Sequence, residues 1–224
     1  MNFQAIRILF LKDLFLSRKF LFAYFVAGMV SAGLTTFEDK TISFVGFILT
    51  MTVAIAAGIH FIGMLLLSES SDQTRLFVMS LPVSLLDYSI GKIAVVLTTY
   101  LIPWTAMLAS TAILAFIIPG AKHGAIAVLP AIFLFLLSAF MIQLITAVIS
   151  ESVGWTISVM VGCNVALNVF LMKLFAIPDV LEVTKSSALS WPPVILQIIG
   201  IELLTIVVSL VVVFVFQTRK RDLI

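Results

Sequence analysis

The sequence contains few charged residues. Asp, Glu, Lys and Arg make up only 11% of its 224 residues, whereas 62% are hydrophobic. A water-soluble domain of this length would have to expose much of that apolar surface, so the composition excludes a soluble globular fold. The formal net charge of +2 is too small to indicate a nucleic-acid partner. A bilayer accommodates this composition, and the length predicts a single domain, residues 1–224, in contact with membrane lipid.

Side chains that bind metals or carry out catalysis are equally scarce. The single cysteine, Cys163, excludes a disulfide framework and a cysteine-based metal site within one chain. The two histidines, His60 and His123, do not have the spacing of metal ligands. A phosphate-binding loop needs Gly-Lys-Ser or Gly-Lys-Thr, whereas Gly91-Lys92 is followed by Ile93. We therefore expect no catalytic residue, no metal and no cofactor in this chain, and any energy source must lie elsewhere.

Six apolar runs are each long enough to cross a bilayer, which takes about 20 residues. They comprise residues 20–37, 42–67, 93–119, 125–149, 155–177 and 194–216. Pro103 and Pro130 fall inside the third and fourth runs, where each is expected to remove a backbone hydrogen bond and kink its helix. The pattern predicts an all-α integral membrane protein with six transmembrane helices.

The Lys and Arg residues predict the orientation of these helices. An inside N-terminus places nine of them on the cytoplasmic side, namely Arg7, Lys12, Arg18, Lys19, Arg75, Lys92, Arg219, Lys220 and Arg221. The remaining four, Lys40, Lys122, Lys173 and Lys185, then lie outside or near the outer surface. This asymmetry agrees with the positive-inside rule, so we expect both termini to be cytoplasmic and residues 178–193 to be extracytoplasmic. Residues 1–19 are predicted to form a cytoplasmic N-terminal helix, which either lies in the interface or simply extends the first span.

A polar segment separates the second and third apolar runs, at residues 68–92. It begins with Ser68-Glu69-Ser70-Ser71-Asp72-Gln73-Thr74-Arg75, continues through Ser80-Leu81-Pro82-Val83-Ser84 and ends at Gly91-Lys92. Its charges exclude it from lipid, so we expect it to lie in the cytoplasm. Its mixture of charged and apolar residues indicates a short helix that presents side chains to a soluble partner. An ordinary solvated loop is the alternative.

This segment resembles the permease subunits of ABC-2-type transporters. The matching residues are Glu69, Thr74, Ser80, Leu81, Pro82, Val83, Ser84, Asp87, Tyr88, Gly91 and Lys92. The opening Leu11-Lys12-Asp13-Leu14, the Arg18-Lys19 pair, the six spans and the cytoplasmic termini are also similar to that family. Leu85 departs from the pattern, because a basic residue often stands there. The importer class of ABC permease is a poorer match, since its signature is longer and contains a Gly that this segment lacks.

The resemblance implies an ABC-2-type exporter permease fold, with a cytoplasmic coupling helix between helices 2 and 3. That helix would dock on an ABC ATPase, and two permease subunits, identical or different, would work with two ATPase copies that bind ATP and Mg²⁺. The coupling residues would be Glu69, Arg75, Leu81, Pro82, Val83 and Lys92. Leu81 and Val83 would fill an apolar groove, Pro82 would shape the turn, and Glu69 with Arg75 would form charge pairs. The resemblance further implies a bacterial cytoplasmic membrane and short re-entrant helices in residues 178–193.

Three polar residues within the spans are candidates for lining a cavity. Asn164 and Asn168 lie four apart and share a helix face, where they either line a translocation route or bridge two helices. Glu202 lies on the last span, on one face with Thr205 and Ser209. Glu202 either lines a polar cavity or carries a proton, or it is a solvated group near the outer interface. The sequence favours the solvated group.

The sequence therefore predicts the permease subunit of an ATP-driven exporter. Few interior charges and many Phe and Met side chains favour an amphipathic cargo, such as a peptide, drug or lipid-like molecule. A gradient-driven secondary transporter is one alternative, although it is expected to carry paired ionisable residues at mid-membrane. A membrane immunity or assembly protein that transports nothing is the other.

Overall fold

The structure is a computed structural model that describes residues 3–68, 85–117 and 123–219, and these residues form helices and connecting turns without any strand. The α-helices are α1 (Phe3–Leu34), α2 (Lys40–Ile62), α3 (Leu85–Ile117), α4 (Leu129–Ser150), α5 (Val153–Ala176), α6 (Pro178–Lys185) and α7 (Pro193–Arg219). A π-helical turn, Gly63–Leu67, extends α2, and a 3-10 helix, His123–Val128, precedes α4. Six of these helical segments are long and apolar enough to cross a membrane, which confirms the six predicted spans. The chain is a multi-pass membrane protein.

Successive spans run in opposite directions. The proximal end of the bundle, as we name it, holds the starts of α1, α3 and α5 and the ends of α2, α4 and α7. The distal end holds the opposite termini and the short helix α6. The α1–α2 turn at the distal end is tied by the Ser43 hydroxyl, which donates to the Thr35 carbonyl at 2.8 Å. Asp39 begins α2 there and accepts backbone N–H bonds from Thr41 at 2.7 Å and from Ile42 at 3.2 Å.

Helix α4 is the centre of the bundle. In its most apolar stretch 61% of the residues are buried, against 11% for α5. It packs against α2, α5 and α7, while α1 packs against α2 and α3. Aromatic contacts fix the α3–α4 crossing: the Tyr100 and Phe140 rings stack with centroids 3.8 Å apart, and the Trp104 indole N–H donates to the Phe133 carbonyl at 2.9 Å. The outer helices therefore leave large apolar faces for lipid or another subunit.

The first helix is continuous from residue 3 to residue 34, a run of 32 residues. At 1.5 Å per residue it is about 48 Å long, which exceeds the thickness of a bilayer core. Of the two interpretations of residues 1–19, this geometry favours extension of the first span over a separate interfacial helix. Asp13 and Ser17 are buried on this extension, and Asp13 faces α3.

Two helix starts differ from the sequence prediction. Helix α3 begins at Leu85, about two turns before the predicted start of its span, so Gly91 and Lys92 are helical. The prediction that Pro130 kinks the interior of the fourth helix is wrong. Pro130 lies in the first turn of α4, where its missing N–H costs no helical hydrogen bond, whereas Pro103 does lie inside α3.

At the distal end, the 3-10 helix packs closely on α6. The Gly124 N–H donates to the Ser186 carbonyl at 3.2 Å, and Val180 and Val183 of α6 are buried. A Cβ added to Gly124 would overlap the Val183 carbonyl oxygen and would lie 3.2 Å from that of Ala188. Glycine is therefore required by the close approach of two backbones.

Candidate functional site

A buried ion pair joins α1 to α3 at the proximal end. The Lys92 Nζ lies 2.7 Å from the Asp13 carboxylate, and the two side chains are only 4% and 3% exposed. Lys12 also approaches Asp13, at 3.5 Å, but its side chain is 51% exposed. Charges leave water only where a partner compensates them, so the Asp13–Lys92 pair fixes the relative position of the two helices.

The surroundings of this pair are tightly packed. The Tyr88 ring lies beneath the Lys92 ammonium, with 5.7 Å between the nitrogen and the ring centroid. Asp87, one turn earlier, is also buried. A Cβ on Gly91 would lie 3.6 Å from the Leu9 Cβ, an ordinary van der Waals distance, so α3 is in contact with α1 at this point. The α1–α3 interface is the most extensive helix pair of the described residues.

The ion pair lies at the same end of the bundle as the two ends of the polar segment. Helix α2 continues through its π-helical turn to Ser68, and α3 resumes at Leu85. Five of the predicted coupling residues lie outside the described residues, namely Glu69, Arg75, Leu81, Pro82 and Val83. The sixth, Lys92, faces α1 inside the chain and not the surrounding water.

Glu202 lies in a second place of interest, beside α4. Its side chain is buried, with 6% exposure, and neither carboxylate oxygen has a hydrogen-bond partner among the described residues. It lines a cavity of about 440 Å³ together with residues of α4 and α5, including Ser138 and Cys163. The expectation of a solvated interfacial Glu202 is therefore wrong for this chain, because α7 is a full-length helix that turns this residue towards α4.

The two asparagines have different surroundings. Asn164 is half-buried and lines a narrow gap with Gln143 and Cys163, next to the Glu202 cavity. Asn168 is exposed, and its amide donates to the Asn164 carbonyl of its own helix at 2.9 Å. Of the three predicted cavity residues, only Asn164 and Glu202 thus face the interior. The gap lined by Asn164 and the cavity lined by Glu202 share Cys163 in their linings.

The histidines do not form a metal site. His60 lies among the rings of Phe20, Tyr24 and Phe61, and His123 lies at the distal end with its Nδ1 3.2 Å from the Ser187 carbonyl. No group of three or more His, Cys, Asp or Glu residues able to hold a metal occurs within residues 3–68, 85–117 and 123–219.

Asp13 belongs to this site although it was not among the predicted coupling residues. Asp13 stands seven residues before Phe20, where the first predicted span starts, and Lys92 directly precedes the third predicted span. An acid and a base on two otherwise apolar helices are candidates for a buried pair, since each would be costly in lipid alone. The presence of one acid and one base on these two helices was therefore the sequence signal for a buried ion pair.

Comparison of the chain with protein-family models, with curated proteins and with solved structures found no match.

Proposed function

We propose that this chain is the membrane-spanning permease subunit of an ATP-driven exporter. Six spans, a polar segment between the second and third, and the resemblance of that segment to ABC-2-type permeases support the proposal. The proposal places the proximal end in the cytoplasm of a bacterial cell, with an ABC ATPase bound to the segment. ATP and Mg²⁺ would be bound by that partner, and two permease chains would form the translocation unit.

The buried Asp13–Lys92 pair is the observation that carries this proposal furthest. A coupling element is useful only if a force on it moves whole helices. The polar segment joins α2 to α3, and the ion pair together with the extensive α1–α3 packing ties α3 to α1. A displacement of the segment by an ATPase would therefore move α1 and α3 together, and α2 would pass the motion to α4, which it contacts.

The test is co-purification with the ATPase encoded nearest to this chain, in detergent or nanodiscs, for the wild type, Leu81→Asp and Pro82→Ala. We expect Leu81→Asp to abolish association, because a charge cannot enter an apolar groove, and Pro82→Ala to weaken it. Leu189→Asp is the matched control, since Leu189 is exposed at the distal end. Association that survives Leu81→Asp, or no association of the wild type, would refute the coupling assignment.

A gradient-driven transporter is the second candidate, and the buried carboxylate of Glu202 favours it. Such proteins use membrane-embedded carboxyl groups to carry protons. Export from inverted vesicles distinguishes the two: the exporter requires ATP hydrolysis, whereas the secondary transporter works with an imposed proton gradient and no ATP. Glu202→Gln should abolish only the gradient-driven activity.

A further inference from the structure

The cavity beside Glu202 originates from the packing of three helices. Helices α5 and α7 each pack against α4 but contact each other only marginally, so a space remains between them. Its volume is about 440 Å³, within the range of about 300–1,000 Å³ found for small-molecule sites. Its lining is mostly apolar and includes Phe135, Ile142, Phe170 and Ile198.

Glu202 is the one acidic group in this lining. The Ser138 hydroxyl lies close by, but it donates to the backbone carbonyl of Glu202 at 3.3 Å and not to the carboxylate. Glu202 is the tenth residue of α7, so it lies about 13 Å along the helix from its start. A carboxylate without a partner inside an apolar membrane-spanning helix is costly.

We propose that this cavity binds an apolar molecule that carries an amine. The ammonium group would donate an N–H to the Glu202 carboxylate, and the hydrocarbon part would fill the space between α5 and α7. Charge complementarity selects the cation, since the carboxylate lacks a partner within the described residues. The apolar walls select a hydrophobic amine over a hydrophilic one. The assignment of this molecule as the exported cargo rests on the proposed function, whereas its binding does not.

The single cysteine provides a direct test. Cys163 lines the same cavity, so a thiol reagent modifies one position of the chain, next to the proposed site. The purified protein is placed in phosphatidylcholine nanodiscs, and methyl methanethiosulfonate is added in the presence of N,N-dimethyldodecylamine or of dodecanol. The amine should slow modification about tenfold at about ten times its Kd, because the occupied fraction is protected. Dodecanol has the same chain without the charge and should not protect.

Two variants separate recognition of charge from simple filling of the cavity. Glu202→Gln should lose protection by the amine, whereas Glu182→Gln, which alters an exposed acid on α6, should retain it. The amine should also raise the Tm of the wild type and of Glu182→Gln but not of Glu202→Gln, which provides a readout that does not depend on thiol reactivity.

Equal protection by dodecanol, or an equal effect of the amine on Glu202→Gln, would overturn the proposal. Absence of any Tm shift in the wild type would also do so, and a basic residue of another membrane subunit would then be the better partner for Glu202. No ATPase is present in these measurements. Amine binding without ATPase association would therefore refute the proposed exporter function but support the amine site. ATPase association without amine binding would support the exporter function and refute the amine site.

Discussion

Removal of one member of the Asp13–Lys92 pair should destabilise the bundle far more than removal of the exposed Lys12. The two buried groups are 2.7 Å apart and at most 4% exposed, so a variant such as Asp13→Leu removes a carboxylate that directly compensates the Lys92 ammonium inside the protein. Loss of one partner of a buried pair typically costs about 3–5 kcal/mol. We expect that decrease in the free energy of unfolding for Asp13→Leu and for Lys92→Met.

The matched control uses the same carboxylate. Lys12 lies 3.5 Å from Asp13 with a side chain that is 51% exposed, so Lys12→Met should change the free energy of unfolding by at most about 1 kcal/mol. The double variant Asp13→Leu with Lys92→Met removes both charges and should recover most of the lost stability. The coupling energy of this double-mutant cycle should then be about 3 kcal/mol or more.

The measurement is denaturant-induced unfolding in detergent, followed by tryptophan fluorescence. The signal of Trp104 suits this purpose because its indole is buried, with 8% exposure, at the α3–α4 crossing. A cost for Asp13→Leu no larger than that for Lys12→Met would mean that water reaches the pair. The two helices would then not be locked together, and the proposed path of force from the polar segment would fail.

Three further predictions concern single residues. Gly124→Ala should lower the Tm in detergent by several degrees, because the added Cβ would overlap the Val183 carbonyl oxygen. Gly200→Ala is the control, since a Cβ there would have no atom within 4 Å and should not lower the Tm. Equal Tm values for the two variants would contradict the close packing at the distal end. Trp104→Phe should cost about 1 kcal/mol in denaturant unfolding through loss of one hydrogen bond to a carbonyl of α4, and an unchanged midpoint would show that bond to be dispensable. Hydrogen bonds from the backbone N–H groups of Ile42 and Thr41 hold the pKa of Asp39 below its usual value. The ionised Asp39 therefore stabilises the fold above the ordinary carboxyl pKa of about 4, and this stabilisation is lost as the pH falls through the lower pKa of the folded state. Thermal unfolding between pH 6 and pH 3 should show this loss in the wild type but not in Asp39→Asn, and parallel curves would refute it.

The sequence predicted the number, order and approximate limits of the spans. Each limit depends on where polar residues interrupt an apolar run, and lipid penalises such residues strongly. The limits were wrong by about two turns at α3, where Asp87, Gly91 and Lys92 look like a polar loop but lie in the helix. The charge of Lys92 is compensated by Asp13 of α1, a tertiary contact that a local sequence pattern does not reveal.

The candidate site was predictable only in part. Asn164 and Glu202 were identified because polar residues inside apolar spans are rare, and the structure places both in the interior. The sequence could not indicate that Asn168 is exposed. Residues four apart on a helix are rotated by about 40° about its axis, and this rotation is enough to separate a side chain that lines a cavity from one that contacts lipid. The sequence offered an acid and a base on two apolar helices, but it could not show that Asp13 and Lys92, which are 79 positions apart in the chain, lie side by side.

Hydrophobic runs and the distribution of charge by themselves determined that this chain is an all-helical membrane protein with six spans. A bilayer imposes that result, because every backbone group within it must be bonded inside its own helix. The tertiary structure alone decided which polar groups are compensated and which are not. Asp13 has Lys92 as its partner because α1 and α3 pack side by side, whereas Glu202 faces a mostly apolar cavity because α5 and α7 both pack on α4 but hardly contact each other. Both results depend on the relative positions of helices, which no local pattern encodes.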